Sequence, residues 1–229
     1  MPTNLPNKLP TELTTKLPTK LPTKLPTNQR IYLASRSLRR QDLLRQIGVE
    51  FDELRLREAA GRDPDIVEGA RDGESAPEYV KRIARTKANV GWERMTERGL
   101  AARPMLAADT EVVLDGYIFG KPADEPHARE MLDRLSGRTH QVLTAVALRW
   151  EREFVITVST SLVTMRELSA DELARYIATA EPLGKAGAYA IQGRAAAFIT
   201  RIEGSYSGVM GLPLAETAAA LAKLGRPVL

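Results

Sequence analysis

The side chains able to do chemistry in this 229-residue chain are of a restricted kind. There is no cysteine, and the only histidines are His127 and His140. That excludes a disulfide framework, a thiolate zinc site and a cysteine nucleophile. Two histidines also argue against a Ser-His-Asp triad or a multi-histidine metal centre. Carboxylates, amines, guanidiniums and a hard cation bound by carboxylates remain. Ser35-Arg36-Ser37-Leu38-Arg39-Arg40 sits at a turn from an apolar strand into a helix. A helix N-terminus offers free N–H groups and a positive dipole end, which suit phosphate. The same dipole disfavours Arg39 and Arg40 in the first turn, so the pair implies a neutralising anion; a solvated charged face is the alternative. The Gly-x4-Gly-Lys spacing of a P-loop is absent.

Asp109 closes the apolar run Met105-Leu106-Ala107-Ala108. Burying a carboxylate there is costly without a partner or a metal, and a hydrated divalent cation is a good partner. The alternative is a structural carboxylate that accepts from neighbouring N–H groups. Lys87, among Ile83, Ala84 and Ala88, and Lys121, in Gly120-Lys121-Pro122, are charge partners for Asp109 or for a phosphate. They could equally be chains that snorkel to water. Glu68, near Asp63 and Asp65, is either a second metal carboxylate or part of a solvated loop. Gly184 to Gly193 is dense in small residues, which let backbone approach a ligand closely. Within it, Gln192 carries the donor and acceptor that suit a nucleobase edge; a compact loop under a helix is the plain reading.

Several elements must position these groups. A short strand at 31–34 feeds a helix at 38–47, with Ser37 as its N-cap and Gly48 as its stop. A strand at 51–56 follows, then an acid-rich stretch. Residues 76–98 form a long helix with Tyr79, Ile83, Ala84 and Lys87 along one side. Extended runs at 104–108 and 111–114 lead to a hairpin at Asp115-Gly116. A helix at 122–135, strands at 141–150 and 154–163, and a helix at 169–178 with a Ser169/Glu172 capping box come next. A strand at 196–203 and a closing helix at 212–224 complete the chain. Strands alternating with helices, plus a long hairpin, make a mixed α/β fold.

Residues 1–29 are a near-repeat with six of the 14 prolines. Such proline density forbids a helix and removes ladder donors from a strand, so an extended, disordered arm is expected. The arm carries Lys8, Lys16, Lys20 and Lys24 against Glu12, a net +3 of the chain's +4. The body from residue 30 to 229 is therefore close to neutral. That balance, with 5% aromatic residues, gives a nucleic-acid partner little support. No apolar run reaches the ~18 residues of a membrane span, and the arm has no apolar core like that of a secretory signal. A cytoplasmic location is expected.

Six segments, in order, carry a resemblance: LASRSLRRQDLLRQIG, VKRIARTKA, AADTEVVLDGYIFGKP, LSGRTHQVLTAVAL, GKAGAYAIQG and IEGSYSGVMGLPL. From about residue 31 to 224 the chain resembles the Maf family of nucleoside triphosphate pyrophosphatases; the repeat arm has no counterpart. The resemblance implies an α/β fold, a mixed elongated sheet flanked by helices with two lobes around a central cleft, usually as a homodimer. It implies hydrolysis of a nucleoside triphosphate to the monophosphate and pyrophosphate with Mg²⁺ or Mn²⁺. Asp109 matches the family's proton acceptor. Ser35, Arg39, Arg40, Glu68, Lys87, Lys121 and Gln192 match other cleft residues, with Asp109 and Glu68 expected at the metal.

The triplet Arg39, Thr110 and Gln192 resembles the dTTP/UTP branch, whereas the branch preferring 7-methyl-GTP typically has Trp, Gln and Glu at these places, so base choice is expected to rest on Thr110 and Gln192. Leu38 and Arg36 depart from the family's usual Pro and small residue. A modified purine triphosphate as substrate is one alternative; a non-enzymatic regulator of cell division or septum formation is another.

Overall fold

The computed structural model describes residues 30–56 and 66–228. The repeat arm, together with Asp63 and Asp65, lies outside the described residues. Seven strands form one sheet, in the order β2-β1-β3-β5-β6-β7, with β4 attached to β3. β1 (Ile31–Leu33) pairs in parallel with β2 (Phe51–Glu53) and with β3 (Met105–Leu114). β3, β5 (Thr139–Trp150), β6 (Glu153–Met165) and β7 (Ile199–Glu203) run antiparallel. The mixed α/β expectation holds, with the helices packed around the sheet.

One edge of β3 pairs with β5 continuously from Met105 to Val113. The other edge is divided. β1 takes Met105 and Leu106, and β4 (Tyr117–Phe119) takes Val112 to Leu114. Among the described residues no strand pairs with residues 107–111 on that side, and Asp109, Thr110 and Glu111 border an opening. Three apolar clusters surround it. On one sheet face, α2 (Ala76–Glu97) lays Tyr79, Val80, Ile83, Ala84 and Ala88 against Ala107, Ala145 and Ala147. These alanines let the helix pack closely. On the opposite face, α1 (Leu38–Gln46) and α6 (Leu214–Lys223) bury Leu43, Leu44, Ala220 and Leu221 against Ile31, Leu33 and Leu106. The third cluster joins α3 (Glu125–Leu135) and α4 (Ala170–Ile177) to Val112, Phe119, Val142 and Val163. The opening thus has a lobe on either side.

Local chemistry explains the element ends. Ser37 caps α1, accepting from the Arg40 N–H at 3.4 Å. Ser75 and Glu78 form a capping box on α2, as Ser169 and Glu172 do on α4. Asp115 and Gly116 take positive φ in the β3–β4 turn. Some boundaries differ from expectation. α3 begins at Glu125, not at Pro122, because Asp124 accepts from the His127 N–H and caps the helix there. The run expected as a strand at 196–203 begins as a 3₁₀ turn, Arg194–Phe198, before β7. A short helix α5 (Tyr206–Met210) occupies what reads as a turn, ended by Gly211 at φ 116°. The expected second strand stops at Glu53. Among the described residues no helix is long and apolar enough to cross a membrane.

The small-residue segment at 184–193 folds over the end of β3. Gly187 has φ 65°, donates its N–H to the Gly120 carbonyl at 3.1 Å, and lies so close that an added Cβ would sit 2.8 Å from Val112 Cγ2. Gly187→Ala combines a left-handed backbone with a clash against a buried valine. It should cost about 1–3 kcal/mol, read as a lower urea midpoint with an unchanged m-value.

Candidate active site

The divided edge of β3 opens into a cleft of about 650 Å³. Ser35, Arg39, Arg40, Glu68, Lys87, Asp109, Thr110, Lys121 and Gln192 all line it. Every residue singled out from the sequence is therefore in one groove, although they come from six separate stretches of chain.

Asp109 lies in the unpaired part of the β3 edge, paired on its other side with Ala145. It is 6% exposed. Its Oδ1 accepts from Lys87 Nζ at 2.7 Å, and Lys87 also meets Glu68 Oε1 at 3.0 Å. Burial opposes the charge on Lys87, but Asp109 and Glu68 outweigh it and its pKa is raised. Lys87 thus stays an ammonium shared by two carboxylates. Asp109 Oδ2 is buried and has no hydrogen-bond partner among the described residues. An unsatisfied anionic oxygen beside a second carboxylate is a fit for a hard divalent cation, which takes oxygen ligands. Among the described residues no group of three or more His, Asp or Glu could hold a metal ion by itself. A cation held by Asp109 and Glu68 therefore needs phosphate oxygens or water to complete its shell, as Mg²⁺ commonly does.

Across the cleft stands the start of α1. Arg40 Nε donates to the Gly211 carbonyl at 2.8 Å, Nη2 to Thr110 Oγ1 at 3.1 Å and Nη1 to Ser35 Oγ at 3.4 Å. Its partners are neutral oxygens. Burial lowers its pKa while Asp109 raises it, and a guanidinium remains charged throughout. Burial also lowers the pKa of Arg39. Lys185, another lining residue, is lowered first by burial and then by Arg39. Arg39, Arg40 and Lys185 thus cluster at one wall of the cleft, where an anion would offset their charge. Lys121 and Gln192 are exposed at the cleft wall.

Several cleft residues escaped the sequence reading. Glu111 follows Asp109 by two positions on β3, so alternation places both on one sheet face; that spacing was the available signal. Burial, then Asp109, pushes its carboxyl up to about 8. Lys185 was visible only as part of a small-residue run. Thr144 and the Gly211 carbonyl enter through long-range contacts that no local pattern encodes. Tyr189 of the 184–193 segment also lines the cleft, its hydroxyl 2.8 Å from His140 Nε2. Burial lowers His140 to about 4, so this imidazole is neutral.

Residues 30–224 match the profile of the Maf family, described as Maf-like protein. The chain belongs to the Maf family. Its relatives share the length of the body. A protein of Nitrosomonas europaea named dTTP/UTP pyrophosphatase is 55% identical over 195 residues, 85% of this chain and 94% of that protein. One of Nitrosospira multiformis with the same name is 58% identical over 189 residues, 82% of this chain and 91% of its own. A third, from Aromatoleum aromaticum, is 52% identical over 200 residues, covering 87% and 97%.

The Glu111 carboxyl loses its proton near 4.5 in an unfolded chain and near 8 in the folded protein. The folded state binds more protons between those values. Its stabilisation is therefore complete below 4.5 and lost as pH rises through 8. The neutral His140 acts in the opposite sense, between about 4 and 6.5. Above that range, without nucleotide or divalent cation, urea midpoints of the unmodified protein should fall towards pH 9. Glu111→Gln should remove most of that slope, a difference on the order of 1–3 kcal/mol.

Proposed function

We propose that this protein hydrolyses dTTP and UTP to the nucleoside monophosphate and pyrophosphate. The observation that carries this reading is the placement of Asp109, paired with Lys87 on one side of a cleft whose other side presents Arg40 on neutral partners. A cleft of about 650 Å³ that holds both an acid and a buried guanidinium suits a polyphosphate. The shared name of the relatives, at 52–58% identity, supports the substrate class.

The phosphates lie against Ser35, Arg39 and Arg40 at the start of α1, where N–H groups and cations compensate their charge. Asp109 orients water for attack on the α-phosphorus and accepts its proton. The bond from that phosphorus to the α–β bridging oxygen breaks, and pyrophosphate leaves with the electron pair. Lys87 and Lys121 offset charge on the transferring and leaving oxygens. Asp109 and Glu68 would hold Mg²⁺ or Mn²⁺, which would supply charge to offset the phosphates and a more acidic water. Phosphoryl transfer needs positioning and charge compensation more than covalent help, which fits this residue set.

Gln192 offers its amide to the uracil or thymine edge, giving base choice through paired hydrogen bonds. A homodimer in the cytoplasm completes the reading, supported by the family resemblance. A small-molecule substrate, not a nucleic acid, is supported by the nearly neutral body.

Asp109→Asn keeps the shape of the side chain but removes the proton acceptor. Pyrophosphate release from dTTP and UTP should drop by about 10²-fold or more, with the circular dichroism spectrum retained; near-normal turnover would overturn the assignment. Gln192→Glu replaces a donor by an acceptor. Across a nucleotide panel with Mg²⁺ and Mn²⁺, the preference for uracil and thymine over cytosine should shrink, and an unchanged profile would remove Gln192 from base recognition.

A further inference from the structure

Gln192 stands in a tight turn whose support comes from outside the cleft. The Gly193 N–H donates to the Ala190 carbonyl at 2.9 Å, so Ile191 and Gln192 are the two central residues of that turn. Ile191 is 4% exposed and packs into the core, while Gln192 is exposed at the cleft wall. The chain then enters the 3₁₀ turn Arg194–Phe198, whose first two N–H groups end on one carboxylate. Arg194 N–H donates to Glu181 Oε2 at 3.0 Å and Ala195 N–H to Oε1 at 3.4 Å. Glu181 lies so close to this stretch that a Cβ added at Gly193 would overlap both of its oxygens. The carboxylate is itself held. Tyr176 on α4 donates its hydroxyl to Oε1 at 2.9 Å. That phenol is 3% exposed, and its ring meets Phe198 edge-on at 5.2 Å. Thr179 fixes the backbone of Glu181, accepting its N–H at 3.2 Å and donating to the Tyr176 carbonyl at 2.6 Å.

We infer that Glu181 is a positioning residue for Gln192, acting through the backbone of residues 193–195 and held in place by Tyr176. Neither Glu181 nor Tyr176 lines the cleft, so neither meets the nucleotide. Ala195 is fully buried, and its N–H needs an acceptor within the protein. A carboxylate that accepts from two successive N–H groups fixes their direction, and with it the path of the chain leaving the Gln192 turn. The amide of Gln192 is three bonds from its Cα, so a small tilt of that backbone becomes a larger displacement at a base. Misplacement on the scale of 1 Å is enough to lose a directed contact. Glu181→Gln keeps the size of the side chain but leaves one accepting oxygen for three donors. Its N–H₂ then faces a backbone N–H or the Tyr176 hydroxyl, and the grip on residues 193–195 loosens.

This inference rests on the proposed meeting of Gln192 with the base, and its test separates the two. In Mg²⁺, kcat/KM for UTP and for CTP is measured on the full chain, on Glu181→Gln, Tyr176→Phe and Gln192→Ala, and on each of the first two combined with Gln192→Ala. Glu181→Gln should lower the ratio of UTP to CTP roughly three- to tenfold, chiefly through KM for UTP. Tyr176→Phe, which deletes one oxygen and keeps the ring on Phe198, should lower it about two- to threefold. On the Gln192→Ala background both should change the ratio by less than about twofold, because the side chain they position is gone. A merely structural role would instead lower kcat/KM for the two nucleotides alike. Thermal melts set the assay temperature below unfolding, and Tyr176→Phe decides by the same criteria if Glu181→Gln is too unstable. A ratio unchanged in both variants while Gln192→Ala lowers it overturns the positioning role alone, as does an equal effect with and without the Gln192 amide. A ratio unchanged by Gln192→Ala overturns this inference together with the role of Gln192 in base recognition.

Discussion

The cleft depends on one ammonium group. Lys87 contacts Asp109 at 2.7 Å and Glu68 at 3.0 Å. Its side chain is 14% exposed and that of Asp109 is 8% exposed. At such burial a carboxylate without a counter-charge costs several kcal/mol, and Glu111 adds a further acidic group close by. The lysine gives Asp109 a counter-charge without closing it off, since Oδ2 has no hydrogen-bond partner among the described residues. The same contact ties α2 to β3 and to the segment carrying Glu68. Charge balance and tertiary packing are therefore one constraint.

Topology supplies the space. A fully paired strand would have buried residues 107–111 against a neighbour on both edges. Here β1 and β4 divide one edge of β3 and leave its middle open. Asp109 and Glu111 face α2 across this gap, while α1 brings Arg40 to its rim. Ligand sites in α/β sheets commonly form where neighbouring strands part in this way. The alanines at 107, 145 and 147 matter equally, because small side chains let α2 approach closely enough for Lys87 to reach the carboxylate.

Membership of the Maf family accounts for the body from residue 30 to 224. The geometry adds a division of labour among the cations. Lys87 is in direct contact with two carboxylates, whereas the hydrogen bonds of Arg40 among the described residues go to neutral oxygens. The first holds the acid as well as offering charge; the second offers charge alone. Side chains of the same sign thus serve opposite ends of one reaction.

Much of this was legible in the residues. Periodicity located α2 and placed Lys87 on its buried side, capping chemistry located the starts of α1 and α4, and Asp115-Gly116 located the β3–β4 turn, because each rests on interactions within a few residues. The gathering of Ser35, Arg39, Arg40, Glu68, Lys87, Asp109, Lys121 and Gln192 could be inferred from the order of familiar segments. Asp109 and Glu111 share a face by simple alternation, yet the raised pKa of Glu111 depends on packing that alternation does not describe. The start of β7 also escaped, since Ala195 to Phe198 is apolar enough for a strand but folds as a 3₁₀ turn. Sequence alone determined which elements form and which side chains are chemically competent, because those properties are local. Tertiary structure alone decided that Thr110 and Gly211 hold Arg40, and that β3 is left open at Asp109. Those outcomes require hydrogen bonds and strand pairings between stretches of chain that approach one another only after folding.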